Sequence, residues 1–178
     1  MRITISGPPG SGKTTACNKL SEILGLKAVV FGKIFRETAA EKHLSLNEFG
    51  ALAEKDPSID QSIDSKILEI ARENENIILE SRLSAYMLSR NNIPAFKIYL
   101  WASPEVRMSR IGTREGQPLE DAIKETLQRQ VSEAKRYKMY YDIDINDMSV
   151  YDLVVDTDKL DPDGVIDAIL KAVEGQKC

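Results

Sequence analysis

The feature that most constrains this chain is its opening, "MRITISGPPGSGKTTACNKLSEIL". A short β-branched alternating run breaks at a Gly/Pro-rich loop, and apolar residues then recur at helical spacing, which predicts strand, loop and helix. Gly7, four residues, Gly12, Lys13 and Thr14 satisfy G-x-x-x-x-G-K-[ST] in the strand-to-helix context that this motif requires. Its glycines let backbone N–H groups turn inward around phosphate oxygens, and the helix N-terminus adds its dipole. Lys13 is expected to reach the outer phosphates and Thr14 to offer its hydroxyl to Mg²⁺. Gly7, Pro8, Pro9, Gly10, Ser11, Gly12, Lys13, Thr14 and Thr15 are therefore the predicted triphosphate cradle. The loop leaves open whether a bound triphosphate drives a motion, acts as a switch or donates a phosphoryl group.

Four further apolar runs, "KAVVFG" (27–32), "ENIILE" (75–80), "FKIYLW" (96–101) and "YDLVVDT" (151–157), read as strands buried on both faces. Helical patterns lie between them at about 33–42, 46–54, 57–73, 83–90, 104–112, 118–138 and 162–174. Such alternation predicts an α/β fold with a parallel sheet covered by helices. Pro57 and Pro162 suit helix first turns, with Asp56 and Asp161 as N-caps. A crossover needs only about a dozen residues, so the three helical segments between the second and third strands form an insertion with its own purpose.

A chain of 178 residues that is 29% charged and 42% hydrophobic fits one globular domain. It shows no apolar run long enough for a membrane span and no leader pattern, so a cytoplasmic protein without a membrane partner is expected. The net charge of −4 argues against a nucleic-acid surface spread over the molecule. Cys17 and Cys178 make neither a disulfide framework nor a ligand cluster, and the single histidine, His43, excludes His-based proton relays.

The remaining chemistry is carried by one acid and many arginines. Glu80, at the end of the third strand, is placed to hold metal-bound water opposite Thr14. After the fourth strand, "SPEVRMSRIGTREG" carries Arg107, Arg110 and Arg114, and "RQVSEAKRY" puts Arg129 and Arg136 seven residues apart on one helical face. Glu133, between them, is spaced to pair with both. Arg107 alone reads as a solvated surface residue. The others suit phosphoryl transfer, where charge spread over the moving group is stabilised by forked cations. The turn "TREGQP" would let the two helices close as a flap and exclude water. Arg36, after Gly32, and Arg82, just beyond Glu80, fall where a second phosphate would lie. Two arginine sets imply two anionic ligands, hence transfer rather than hydrolysis.

With "GPPGSGKTT", "GKIFRE", "LESRL", "RIGTR" and a closing strand and helix, the chain resembles the nucleoside monophosphate kinase family of the adenylate kinase kind. "SLNEFGALAEKDPSIDQSID" and "RYKMYYDIDINDMSVYDLVVDT" narrow the resemblance to archaeal-type cytidylate kinases. The resemblance implies a P-loop core with a five-stranded parallel sheet in order 2-3-1-4-5, flanked by helices. It further implies an NMP-binding insertion over 32–73, a lid and arginine-bearing helix over 113–138, and a core made of 1–31, 74–112 and 139–178. It implies ATP-dependent phosphorylation of CMP and dCMP with Mg²⁺, by a monomer. Carried over by position, Lys13, Arg114, Arg129 and Arg136 are catalytic and Arg110 flanks the donor base. Gly32, Arg36 and Arg82 serve the acceptor, with Asp60 among the candidates on the insertion for base or sugar contacts. Ser81 departs from the family, which more often has Gly there. Other acceptors, such as UMP, AMP or a small metabolite, remain open, as does an ATP-dependent assembly factor.

Overall fold

A computed structural model describes residues 1–115 and 118–175, apart from the side chains of 113–115. Five strands, β1 (Arg2–Ser6), β2 (Lys27–Val30), β3 (Ile77–Glu80), β4 (Phe96–Trp101) and β5 (Leu153–Asp156), form one sheet in the order β2-β3-β1-β4-β5. Every pairing is parallel. The central strands β1 and β3 are covered on both faces, as continuous apolar runs require. Alternation across the pleat splits their side chains between two cores. Ile3, Ile5, Ile78, Ile98 and Leu100 meet Leu20, Ile166 and Ile169 on one face. Ile77 and Leu79 meet Ile67, Leu83 and Tyr137 on the other. Each fully buried aliphatic side chain contributes about 1.5–3 kcal/mol, which holds the strand ends and their loops in fixed register.

The helices are α1 (Lys13–Leu24), α2 (Phe31–Glu41), α3 (Leu46–Ala53), α4 (Pro57–Glu73), α5 (Ser84–Arg90), α6 (Pro104–Glu115), α7 (Leu119–Tyr141) and α8 (Pro162–Gly175). The caps follow their local chemistry. Asp56 accepts from the Ser58 N–H at 3.0 Å ahead of Pro57, and Asp161 accepts from the Gly164 N–H at 2.7 Å. Ser45 and Glu48 form a reciprocal capping box that starts α3. Several boundaries differ from the sequence expectation, among them α6, which runs to Glu115 instead of ending near 112. β2 stops at Val30, and Phe31 and Gly32 already belong to α2. Phe31 is buried in the second core, so helical backbone suits it better than one more residue of edge strand. Helix α7 continues three residues beyond 138 because Tyr137 and Tyr141 pack inward, and it ends where Asp142 turns left-handed with φ 51°. Helices α2, α3 and α4 form an arm between β2 and β3, and α7 packs against α3.

Candidate functional site

A cleft of about 810 Å³ lies over the carboxyl ends of the strands, the usual ligand position in an open parallel sheet. The loop from Pro9 to Thr15, the end of β3 and the start of α8 line it. Gly32 and Arg36 from α2, Asp60 and Asp64 from α4, Arg110 from α6, and Arg129 and Arg136 from α7 complete the wall. The structure therefore gathers most of the predicted site residues around one space. Gly7 and Pro8 build the loop without lining the cleft. The side chain of Arg114 lies outside the described residues.

Gly7 explains how the loop leaves β1. Its φ is 149°, and a Cβ there would stand 2.4 Å from the Leu100 carbonyl oxygen of β4 and 2.6 Å from Ser11 Oγ. Only glycine lets the chain turn against the neighbouring strand. The Ser11 N–H donates to the Pro8 carbonyl at 3.2 Å. Lys13 Nζ donates to the same oxygen at 2.9 Å, which folds its stem along the loop. Burial lowers the Lys13 ammonium to about 8; Glu80 opposes this, and Arg82 and Arg36 add to it. Thr14 Oγ1 donates to Glu80 Oε2 at 2.9 Å, so the hydroxyl from α1 and the carboxylate from β3 meet as expected.

Beyond Glu80, the turn is locked by the residue that departs from the family pattern. Ser81 Oγ accepts from the Leu83 N–H at 3.0 Å, and its carbonyl accepts from Ser6 Oγ at 2.7 Å. The Ser81 side chain thus fixes the turn that leads into α5, while the next residue, Arg82, lines the cleft. Arg82 Nη1 lies 3.3 Å from Glu133 Oε2. The geometry is poor for a hydrogen bond, and both atoms are buried without one. Glu133 therefore makes its ion pair across the cleft with Arg82 and not, as its spacing suggested, along α7 with Arg129 and Arg136. Buried groups of this kind gain from any ligand that completes their hydrogen bonds.

Helix α7 divides its two site arginines. Arg129 Nη2 donates to Thr126 Oγ1 at 3.2 Å, and its Nε is buried without a partner. Arg136 turns toward the arm, where its Nε donates to Asp60 Oδ2 at 2.7 Å, while its Nη1 donates to Ser132 Oγ of α7 at 2.7 Å. The pair is buried, with side-chain exposures of 3% and 5%, and the guanidinium lies over the Phe35 ring. Burial works against the Arg136 charge, but Asp60, Tyr137 and Glu133 together outweigh it and hold the guanidinium above its ordinary range. Nearby Asp64 accepts from the Tyr141 O–H at 2.8 Å. Burial raises its carboxyl to about 7 against that hydrogen bond.

Two outcomes in α6 separate residues of similar appearance. Arg110 donates to the Gly10 carbonyl at 3.2 Å and to both oxygens of Thr157 at 3.0 Å, bridging the loop to the end of β5. Arg107, read from sequence as a solvated side chain, is instead 8% exposed. Its position one turn before Arg110 was the available signal, since i and i+3 share a helix face. Thr157, Gln130 and Tyr141 are further residues of this region that carry no motif. Cys17 lies buried in α1 and His43 is exposed, consistent with neither serving the cleft.

Residues 2–159 match the model of a family described as the cytidylate kinase-like family. The chain is 43% identical over 177 residues to a cytidylate kinase of Archaeoglobus fulgidus, covering 99% of this chain and 97% of that one. It is 47% identical over 177 residues to a cytidylate kinase of Methanothrix thermoacetophila, covering 99% and 100%. A solved shikimate kinase from Bacteroides thetaiotaomicron superposes with a TM-score of 0.63 at 15% identity, covering 98% of each chain. That likeness is one of fold.

Proposed function

The chain belongs to the cytidylate kinase-like family, and on that premise we propose that its cleft transfers the γ-phosphoryl group of ATP to CMP, and also to dCMP. The observation that carries this reading is the gathering of two arginine sets and a phosphate loop around one space. ATP lies with its phosphates on residues 7–15, and Arg110 flanks the donor base. The acceptor lies toward the arm beside Gly32, its phosphate held by Arg36 and Arg82.

Thr14 and Glu80 fit Mg²⁺, because a hydroxyl and a carboxylate 2.9 Å apart supply the few protein ligands that this ion takes beside phosphates and water. Thr14 would hold the ion directly and Glu80 through water. When bound, it neutralises charge on the phosphates. A CMP phosphate oxygen attacks the γ-phosphorus in line, the bond to the β,γ-bridging oxygen breaks, and ADP leaves with that electron pair. No protein base is needed, since a phosphate monoester with a second pKa near ~6 is mostly dianionic at neutral pH. Lys13, Arg114 and Arg129 stabilise the charge spread over the moving group. Arg136 acts from the arm side, with Asp60 serving the acceptor by fixing Arg136 more than by touching the base.

A coupled ADP-release assay with CMP, dCMP, UMP, AMP and no acceptor tests the reading. CMP and dCMP are expected to be consumed fastest, with little ADP formed without an acceptor. Preference for AMP over CMP would sink the cytidylate assignment, and rapid acceptor-independent hydrolysis would favour an assembly factor. Arg129→Ala and Arg136→Ala are each expected to lower turnover by ~10³ or more, the scale of an arginine that stabilises phosphoryl transfer.

A further inference from the structure

Arg107 is a charged side chain in the wrong place for a surface residue. It is 8% exposed, and among the described residues no carboxylate lies within ion-pair distance of it. Its Nη1 donates to the Pro9 carbonyl of the phosphate loop at 3.2 Å and to Gln130 Oε1 of α7 at 3.3 Å. Its Nε is buried without a hydrogen bond. Gly10 rests directly on it: a Cβ at Gly10 would stand 2.7 Å from the Arg107 carbonyl oxygen and 2.9 Å from its Cα. Helix α6 is therefore seated on the back of the loop at this residue.

We propose that Arg107 is a positioning residue which aims the phosphate loop at the donor and couples it to helix α7. The loop contains no cis peptide, and in a trans peptide the C=O and N–H point in opposite directions. Pinning the Pro9 carbonyl outward onto Arg107 thus turns the Gly10 N–H to the cleft side, where donor phosphates lie. Arg110 donates to the next carbonyl, that of Gly10, at 3.2 Å. A buried cation without an acid is costly, and triphosphate on the other side of a one-residue-thick loop offsets that cost. Gln130 adds the second half. It lies on the helix that carries Arg129 and Arg136, so a shift of α7 over the substrates acts on the same guanidinium that orients the loop. Nothing in the motif G-x-x-x-x-G-K-[ST] demands an arginine here, since the support comes from a helix about a hundred positions later.

The inference rests on the donor half of the proposed function and not on the identity of the acceptor, so ATP binding is measured first without any acceptor. Arg107→Met keeps the stem and removes the charge and fork; it is expected to weaken ATP at least tenfold by calorimetry, with urea stability of the ligand-free protein unchanged or raised. Its KM for CMP should stay near wild type while kcat falls. Arg107→Lys, which keeps charge but not the two-way fork, should recover only part of the ATP affinity. Gln130→Leu should leave ATP affinity intact and lower kcat several-fold, and Gln130→Glu, which keeps the acceptor oxygen, should restore it. Loss of ligand-free stability in Arg107→Met with wild-type ATP affinity in the folded fraction would overturn the proposal, as would full kcat in Gln130→Leu. Failure of the wild type to phosphorylate CMP would overturn the acceptor assignment and leave the ATP measurements to decide this one.

Discussion

Replacing Asp64 by asparagine tests how the α4 side of the cleft stores charge. Asp64 is 7% exposed on the inner face of α4, and its Oδ2 accepts from the Tyr141 O–H at 2.8 Å. Burial lifts its carboxyl from 3.8 to about 7; the Tyr141 hydrogen bond and Arg136 oppose the lift, and Asp60 and Glu133 add to it. A carboxyl raised in the folded state favours folding only while protonated. Its contribution is whole below about pH 4 and is lost as pH climbs through about 7. At about 1.4 kcal/mol for each tenfold step, that lift corresponds to roughly 4 kcal/mol, an upper bound once local relaxation is allowed. The substituted side chain would be neutral at every pH, with an amide oxygen still able to accept from Tyr141. Asp64→Asn is therefore expected to lie within about 1 kcal/mol of wild type near pH 4.5 and to exceed it by about 2–4 kcal/mol at pH 8. Urea unfolding followed by Trp101 fluorescence at steps between those pH values reads the difference. A stability difference that does not vary with pH, or a variant weaker than wild type at pH 8, would refute the argument.

Three other outcomes follow from the geometry. Because burial lowers the Lys13 ammonium to about 8 and bound triphosphate favours its charged form, ATP binding above that pH should take up a proton and weaken as pH rises. Calorimetry at pH 8.5 in buffers of different ionisation enthalpy should reveal the uptake, and Lys13→Met should abolish it. Asp60→Leu leaves Arg136 buried without its carboxylate and should cost about 3–5 kcal/mol in chemical denaturation, most of which Asp60→Leu with Arg136→Met should recover. Gly10→Ala combines φ +82° with a Cβ 2.7 Å from the Arg107 carbonyl oxygen. About 1–2 kcal/mol of left-handed strain and 1–3 kcal/mol of overpacking should distort the loop enough to remove the ATP-induced rise in Tm.

The fold was legible in the sequence because its signals are local. β-branched runs, the Gly/Pro loop and caps such as Asp56 before Pro57 act within a few residues, and the parallel order agrees with the resemblance. Boundaries slipped where burial overrode the pattern, at Phe31 and at Tyr141. At the site, Thr14 and Glu80 could be paired because a motif position and a strand end each have a known place in such a sheet. Glu133 could not be placed in this way. Helical spacing offers it Arg129 and Arg136, and only the approach of α7 to the end of β3 brings Arg82 to it at 3.3 Å.

By itself, then, the sequence determined that a G-x-x-x-x-G-K-[ST] loop follows the first strand, that the sheet is parallel, and that arginines outnumber every other candidate group for chemistry. Tertiary structure alone decided which partner each arginine takes. Arg136 is committed to Asp60 on the arm, Arg110 to the end of β5, and Arg107 to the back of the phosphate loop. The physical reason is that a guanidinium reads the same in any sequence, while its role is set by whether burial leaves it facing a carboxylate, a backbone carbonyl or a ligand. Those neighbours are contributed by elements about fifty to a hundred positions away and are joined only by packing.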